Sequence, residues 1–266
     1  NSFPTRRSSD LDAVTTRKVG QRVSIETHIP CNVCYQCQNE MPHNCANMSI
    51  YGTSCDGCFA AFATVDAQVT FVLPDEMSFE EGALLEPAGV AMRAVEEAKV
   101  EPGDTIVVNG CGPIGLLAVQ ILYASGAAKV LAIDLDEYRL NLASKLGAVA
   151  INAKKQNAVE VVLEQTKARG GADVLIETSG AEAAYQTIFD MIRLEGRLVT
   201  VGHPGNPVPV NIMKSINLKG ASIKGVFGRK IWGTWWKLSS LIVNERVNIL
   251  DVVTHRFHFS EFQEAF

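Results

Sequence analysis

The sequence predicts an α/β protein: a doubly wound parallel sheet set into a smaller, β-rich domain. Two observations predict the sheet. From residue 105 onward, apolar strand-like runs alternate with helix-like runs at the spacing of βαβ units. A glycine-rich string, Gly110-Cys111-Gly112-Pro113-Ile114-Gly115, stands between the first of those strands and the helix after it. A third observation predicts the smaller domain. Residues 18–72 hold short runs and turns around a loop that crowds four cysteines between Cys31 and Cys45.

The elements follow in order. Residues 22–26 alternate as a strand, and residues 59–65 form a second strand candidate. Ser78, with Glu81 three positions on, makes a capping box for a short helix over 79–84, and residues 89–98 read as a separate helix. Strands are expected at 105–108, 129–133, 148–151, 173–176, 197–201 and 222–226. Helices are expected from 113 and over 136–146, 158–168 and 181–192. A helix over 232–243 precedes short strands and a helix start. Trp232, Trp235 and Trp236 recur at helical spacing, which marks packing in the core or between subunits.

Composition narrows the function classes. The chain has 266 residues, 47% hydrophobic and 20% charged, enough for two globular cores. Net charge is -5 with both signs scattered, which argues against nucleic acid as a partner. No apolar run is long enough to span a bilayer, so no membrane role is expected. Seven cysteines, four of them clustered, read as metal-bound thiolates in a reducing compartment, hence a cytoplasmic protein. Residues 1–11 show no apolar periodicity and no initiator Met. They are read as a translated adapter scar rather than a transit peptide.

The glycine string carries the chemistry of a dinucleotide site. Gly110 permits the tight turn, Gly112 lets backbone approach a pyrophosphate, and Gly115 allows close helix–strand packing, the pattern of a Rossmann fold. Pro113 and Ile114 open the helix, whose first N–H groups face the phosphates. Asp134 ends the next strand. Its carboxylate accepts ribose hydroxyls and repels a 2′-phosphate, so NAD is expected over NADP, with Arg139 covering the adenine side. The competing reading is a glycine turn without ligand and Asp134 as a helix cap. Cys111 reads as a spacer between glycines rather than a nucleophile.

Two arrangements of one structural zinc fit the cysteines. Cys31, Cys34, Cys37 and Cys45 can supply four thiolates, and so can a ribbon of Cys31, Cys34, Cys55 and Cys58. Unmetallated thiols are the third possibility. Spacing alone leaves these open.

From about residue 12 to 266 the chain resembles the zinc-containing medium-chain alcohol dehydrogenases, on the cysteine lobe, the glycine string and Leu84-Leu-Glu86-Pro-Ala-Gly. The resemblance selects Cys31, Cys34, Cys37 and Cys45 and turns Cys58 into a strand residue. It implies a partial GroES-like catalytic domain over 12–86, a Rossmann domain over 87–226 and a return to the catalytic domain over 227–266. It implies zinc- and NAD-dependent oxidation of a small secondary alcohol. Family members hold a catalytic zinc with an upstream Cys and a Gly-His-Glu motif. This sequence contains no His-Glu pair, so it is expected to be cut at both ends, inactive as it stands, and to hold a catalytic zinc only in the intact parent. Glu86 matches a carboxylate that binds that zinc or its water; a helix-start carboxylate is the alternative. His28 faces the substrate cleft or is a surface strand residue. The resemblance puts Val201, Gly202 and His203 beside the cofactor and the backbone of Val226 and Phe227 at the nicotinamide. Arg229 contacts cofactor or substrate carboxylate, or is solvated. His43, His255 and His258 read as structural. Gly57-Cys58-Phe59-Ala60, Glu137-Tyr138-Arg139-Leu140, Lys224-Gly-Val-Phe-Gly-Arg229 and Thr254-His-Arg-Phe257 resemble the branch that oxidises L-threonine to 2-amino-3-ketobutyrate. Polyol oxidation is the alternative among enzymes, and a non-catalytic NAD- and zinc-binding protein the alternative outside them. A homo-oligomer, tetramer or dimer, is expected.

Overall fold

The computed structural model describes residues 14–266, so the expected scar over 1–11 lies outside the described residues. By contact the chain divides into two compact units, Asn1–Glu86 and Pro87–Phe266. Residues 227–266 group with the second.

The first unit is built from small pieces. Strand β1 (Val23–Ile25) pairs antiparallel with β4 (Thr70–Val72), and β2 (His28–Ile29) with β3 (Ser49–Ile50). The cysteine loop between β2 and β3 holds one short helix, α1 (Tyr35–Gln38), and a 3-10 turn over Pro42–Asn44. Residues 59–65 form no strand, contrary to the pattern; Phe59 is 63% exposed and Phe62 85%. Alternation alone does not make a strand where backbone pairing is not supplied.

Helix α2 (Phe79–Ala98) starts at the expected capping box. The Ser78 hydroxyl accepts the Glu81 N–H at 3.1 Å, and the Glu81 carboxylate accepts the Ser78 N–H at 2.7 Å. Two helices were expected here, broken before Pro87, yet the helix runs through it. A proline costs one backbone bond. Burial of Leu85, Ala88, Ala91, Ala94, Val95 and Ala98 outweighs that loss.

The second unit is a six-stranded, wholly parallel sheet. Its strands are β5 (Thr105–Asn109), β6 (Lys129–Asp134), β7 (Val149–Asn152), β8 (Ala172–Glu177), β9 (Ile192–Thr200) and β10 (Ser222–Gly225), in the order β10-β9-β8-β5-β6-β7. Helices α3 (Pro113–Ala124), α4 (Glu137–Lys145) and α5 (Ala158–Gln165) connect the first strands, as the alternation predicts. Strand order reverses between β5 and β8, which is the topological switch point of a doubly wound sheet. Val107, Leu131, Ile151, Leu175 and Leu198 pack into one core cluster with Val162 and Ile188. Their neighbours Ile106, Val108, Val130, Val174 and Ile176 point the other way and are also fully buried. Burial on both faces explains the continuous apolar strands.

The single helix expected over 181–192 is two one-turn helices, α6 (Glu182–Tyr185) and α7 (Ile188–Met191), and β9 then begins at Ile192. β9 is longer than its apolar stretch because it continues past an irregularity at Glu195, whose φ is +59°. Helix α8 (Gly233–Val243) buries Trp235 completely while Trp236 is exposed. The strands expected after it are 3-10 turns, Ile249–Val252 and Phe259–Glu261, before α9 (Phe262–Ala265).

The edge of the sheet where the strands begin is held by ion pairs. Asp173, 2% exposed, accepts the Thr105 N–H at 2.9 Å, Arg193 Nε at 2.7 Å and Arg169 Nη1 at 2.6 Å. Burial pushes its carboxyl up, but the Thr105 N–H and the two arginines outweigh that and hold it below its ordinary value of 3.8. A depressed folded pKa gives stability that is present above the unfolded value and lost as pH falls through the folded one. Asp173→Asn is therefore expected to lower unfolding free energy by about 1–3 kcal/mol at neutral pH. Its deficit should shrink near pH ~3. Urea denaturation at both pH values checks this, and a deficit of constant size would refute the ionic account.

Candidate functional site

In the second unit the glycine turn follows β5 at the switch point. Gly110 has φ +101°, and a Cβ there would lie 2.8 Å from the Ser179 nitrogen. A Cβ on Gly115 would lie 1.9 Å from the Gly110 carbonyl oxygen, so only glycine lets α3 come this close. Gly112 differs. It caps α3, and a Cβ on it would meet nothing within 4 Å. The open space at Gly112 is where a ligand backbone can approach the first N–H groups of α3. Pro113 occupies the first helical position, and Ile114 follows it.

A cleft of about 640 Å³ opens here, lined by Gly110, Gly112, Asp134, Arg139, Thr178 and Ser179 among others. Asp134 ends β6. One of its oxygens accepts the Cys111 N–H at 2.6 Å, and the other accepts those of Leu135 and Asp136 at 2.7 and 2.9 Å. Arg139 Nη1 lies 4.0 Å from that carboxylate. Asp134 thus ties the glycine turn to the end of β6, and Asp136, not Asp134, caps α4. Cys111 is fully buried, and burial, then the Asp134 charge, push its thiol up to about 12. That is an inert thiol.

Across the switch point the structure adds residues that motif reading missed. Thr178 donates its hydroxyl to the Gly110 carbonyl at 2.8 Å. Glu177, fully buried at the end of β8, accepts from Asn109 Nδ2 at 3.3 Å, from the Ser179 N–H at 2.9 Å and hydroxyl, and from the Gly180 N–H. Its carbonyl accepts the N–H of Val201 and Gly202. The signal in the sequence was a polar Glu-Thr-Ser-Gly string closing an apolar strand. Val201 and Gly202 follow β9, and Val226 follows β10, its N–H on the Thr200 carbonyl. The rings of His203 and Phe227 meet edge-on, centroids 6.2 Å apart. Arg229 is 2% exposed, its stem against Gly89, so the solvated reading of Arg229 does not hold.

In the first unit, the Cys31, Cys34, Cys37 and Cys45 sulfurs all lie within 4.8 Å of one another, with Cys34–Cys37 at 3.5 Å and Cys34–Cys45 at 3.8 Å. A zinc bonded to four sulfurs at ~2.3 Å sets them ~3.8 Å apart, so the set fits that ion. The loop aims backbone N–H groups at the sulfurs: Cys31 and Asn47 donate to Cys45 at 3.2 and 3.3 Å. Backbone N–H groups of Val33 and Cys34 draw Cys31 down to about 6, and that of Cys37 lowers Cys34, whereas burial pushes Cys37 up to about 12. Cys55 and Cys58 are exposed, and the Cys55 sulfur faces Ser49 and the Ile50 carbonyl. The ribbon pairing is thus not assembled. His43 is buried in the same lobe.

The first unit also brings Glu86 and His28 to polar partners. Thr27 Oγ1 donates to Glu86 Oε1 at 3.2 Å. His28 Nδ1 lies 3.0 Å from the fully buried Glu26 carboxylate, which also accepts the His28 N–H at 2.9 Å. Glu86 and Thr27 line one further cleft with Ser24, Phe59 and Phe79. His255 stacks on Phe257, and His258 caps a 3-10 turn; both are exposed.

The family model described as "Zinc-binding dehydrogenase" matches residues 113–244, and "Alcohol dehydrogenase GroES-like domain" matches residues 8–75. The L-threonine 3-dehydrogenase of Bacillus subtilis is 37% identical over 254 residues, 95% of this chain and 73% of that protein. The enzyme of the same name from Escherichia coli is 36% identical over 250 residues, 94% of this chain and 72% of that one. The crystal structure of 2R,3R-butanediol dehydrogenase from Bacillus subtilis superposes with a TM-score of 0.85 at 29% identity, covering 95% of this chain and 71% of that one. No helix among the described residues is long and apolar enough to cross a membrane.

Two outcomes test this geometry. Zinc held by thiolates contributes directly to folding of the segment that carries it. Cys37→Ser with Cys45→Ser should lose one zinc and become protease-sensitive, while Cys55→Ser with Cys58→Gly should do neither. Metal analysis with limited proteolysis decides, and the reverse pattern would return the ribbon. Gly112→Val should abolish dinucleotide binding in a titration while leaving the melting temperature unchanged, since its side chain enters open space. A large drop in melting temperature would mean the gap is structural.

Proposed function

Because the chain belongs to the zinc-binding, medium-chain alcohol dehydrogenase family, which oxidises alcohols with zinc and NAD, we propose that its substrate is L-threonine, taken to 2-amino-3-ketobutyrate. The observation that carries this is the 37% identity to an L-threonine 3-dehydrogenase across 95% of the chain. The strings at 57–60, 137–140, 224–229 and 254–257 add to it.

Zinc supplies a Lewis acid that lowers the pKa of the alcohol, and NAD supplies the hydride acceptor. Each residue has a part. Cys31, Cys34, Cys37 and Cys45 hold the structural ion. Glu86, steadied by the Thr27 hydroxyl, offers a carboxylate to the catalytic ion or its water. Glu26 fixes His28 through Nδ1, which orients the ring and leaves Nε2 as the nitrogen that exchanges a proton with substrate. Gly110, Gly112, Pro113, Ile114 and Gly115 take the pyrophosphate. Asp134 takes the adenosine ribose, with Arg139 beside the adenine. Val201, Gly202, His203 and the backbone of Val226 and Phe227 shape the nicotinamide end. Arg229, buried against Gly89, is assigned to the substrate carboxylate.

Assay of the full-length gene product with NAD against L-threonine, D-sorbitol and 2,3-butanediol tests the substrate. kcat/KM is expected to favour L-threonine by about tenfold or more, because a site built to pair polar substrate groups rejects analogues that lack them. A polyol or diol turned over better would overturn the proposal and leave the family reading intact. Asp134→Gly should cut the preference for NAD over NADP by about tenfold, through loss of the ribose contact and of repulsion toward a 2′-phosphate. An unchanged ratio of the two dissociation constants would remove Asp134 from the ribose site.

A further inference from the structure

Glu177 presents a problem of charge. It is fully buried, at the carboxyl end of the strand facing the glycine turn across the switch point. Its side chain accepts from Asn109 Nδ2, the Ser179 N–H and hydroxyl, and the Gly180 N–H, and the Tyr185 hydroxyl lies against it too. An ionised carboxylate is an acceptor-only group, and four donors match that inventory. Among the described residues no lysine, arginine or histidine lies within ion-pair distance of it. The same strand begins at Asp173, which has two arginines. A buried carboxylate without a cation is costly, and its hydrogen bonds offset only part of that cost.

The position suggests what completes the pairing. In a doubly wound sheet the dinucleotide lies across the carboxyl ends of the strands at the switch point. The glycine turn and Asp134 belong to β5 and β6, the adenosine side. The nicotinamide half then falls on the side of β8, β9 and β10. NAD+ and NADH differ in charge only at that ring, which is a cation when oxidised and neutral when reduced.

We propose that Glu177 is a buried charge that biases the site toward the oxidised cofactor, acting on the nicotinamide cation through the protein rather than by contact. This rests on the reading of the crevice as the NAD site and deepens it. Its consequence is directional. An enzyme that takes hydride from an alcohol must bind NAD+ and release NADH, and a fixed negative charge tightens the first relative to the second. Ser179 and Asn109 hold the carboxylate in place. Gly202, where a Cβ would lie 2.6 Å from Glu177 Oε2, keeps the neighbouring loop close over it.

The test is the ratio of dissociation constants for NAD+ and NADH, measured by calorimetry and by NADH fluorescence on the full-length gene product. At a separation on the order of 10 Å and an effective dielectric of about 20, one unit charge changes relative affinity by about tenfold. Glu177→Gln should weaken NAD+ by about tenfold while changing NADH less than about threefold, with a melting temperature near that of the parent. Glu177→Asp keeps the charge and disturbs the hydrogen bonds. It should weaken both forms alike and hold the ratio within about twofold. A purely structural Glu177 would weaken both cofactor forms equally in both variants, and that result would overturn the proposal. A ratio that moves in Glu177→Asp would overturn it too, and that outcome can be read even where the Gln variant does not fold. If the unaltered protein bound neither nucleotide, the NAD reading itself would fall, a distinct outcome.

Discussion

The contact between Gly115 and the Gly110 carbonyl oxygen, too close for any side chain at 115, is the constraint on which the second unit depends. It sets the distance of α3 from β5. That distance fixes where the first free N–H groups of α3 stand relative to the end of the strand. Asp134 then ties Cys111 to the end of β6, and Thr178 ties Gly110 to the end of β8. Three strands converge on one turn, and the turn is held before any ligand arrives. Preorganisation of this kind is what lets backbone donors contribute to phosphate affinity instead of spending it on ordering a loop.

The two units solve the problem of stability differently. The inner strands of the parallel sheet bury both faces, and Val107, Leu131, Ile151 and Leu175 are all inaccessible, whereas the edge strand β10 is exposed along its length. The loop carrying the cysteines has almost no apolar interior; α1 buries no residue, and Val33 and Tyr35 are exposed. Such a segment needs a cross-link, and four sulfurs gathered within 4.8 Å are that cross-link once zinc is bound. The backbone N–H groups aimed at Cys31 and Cys34 serve the same end, since they stabilise thiolate over thiol.

How much of this was legible depended on the range over which each feature is encoded. The inner strands of the sheet were plain because continuous apolar runs follow from burial on both faces. The glycine string and Asp134 were plain because adjacent elements of one βαβ unit space them. Glu177 and Thr178 were invisible to motif reading because they reach the turn from the far side of the switch point, 68 residues away in sequence. The break wrongly expected at Pro87 and the strand wrongly expected at 59–65 share one cause: local preference is overridden by packing in the first case and unsupported by it in the second. Choosing between the two cysteine sets needed a resemblance at the level of sequence, since both spacings satisfy one tetrahedral ion. In three dimensions the choice is a matter of distance.

Strand β8 shows how one sheet separates stability from function. At its amino end Asp173 is ringed by Arg169, Arg193 and the Thr105 N–H, and on the same edge Asp104 pairs with Arg197 at 2.7 Å. Both of these aspartates have their opposite charge within the protein. At its carboxyl end Glu177 has hydrogen bonds and no cation. The asymmetry cannot come from burial, because both carboxylates are almost wholly inaccessible. It comes from what each edge faces. At the amino edge the compensation comes from the protein's own arginines, Arg169 and Arg193, whose side chains are 49% and 30% exposed. The carboxyl edge of a doubly wound sheet faces the ligand. There an unmatched charge can be compensated by the ligand, and the free energy withheld in the empty protein becomes a preference for one charge state of what binds.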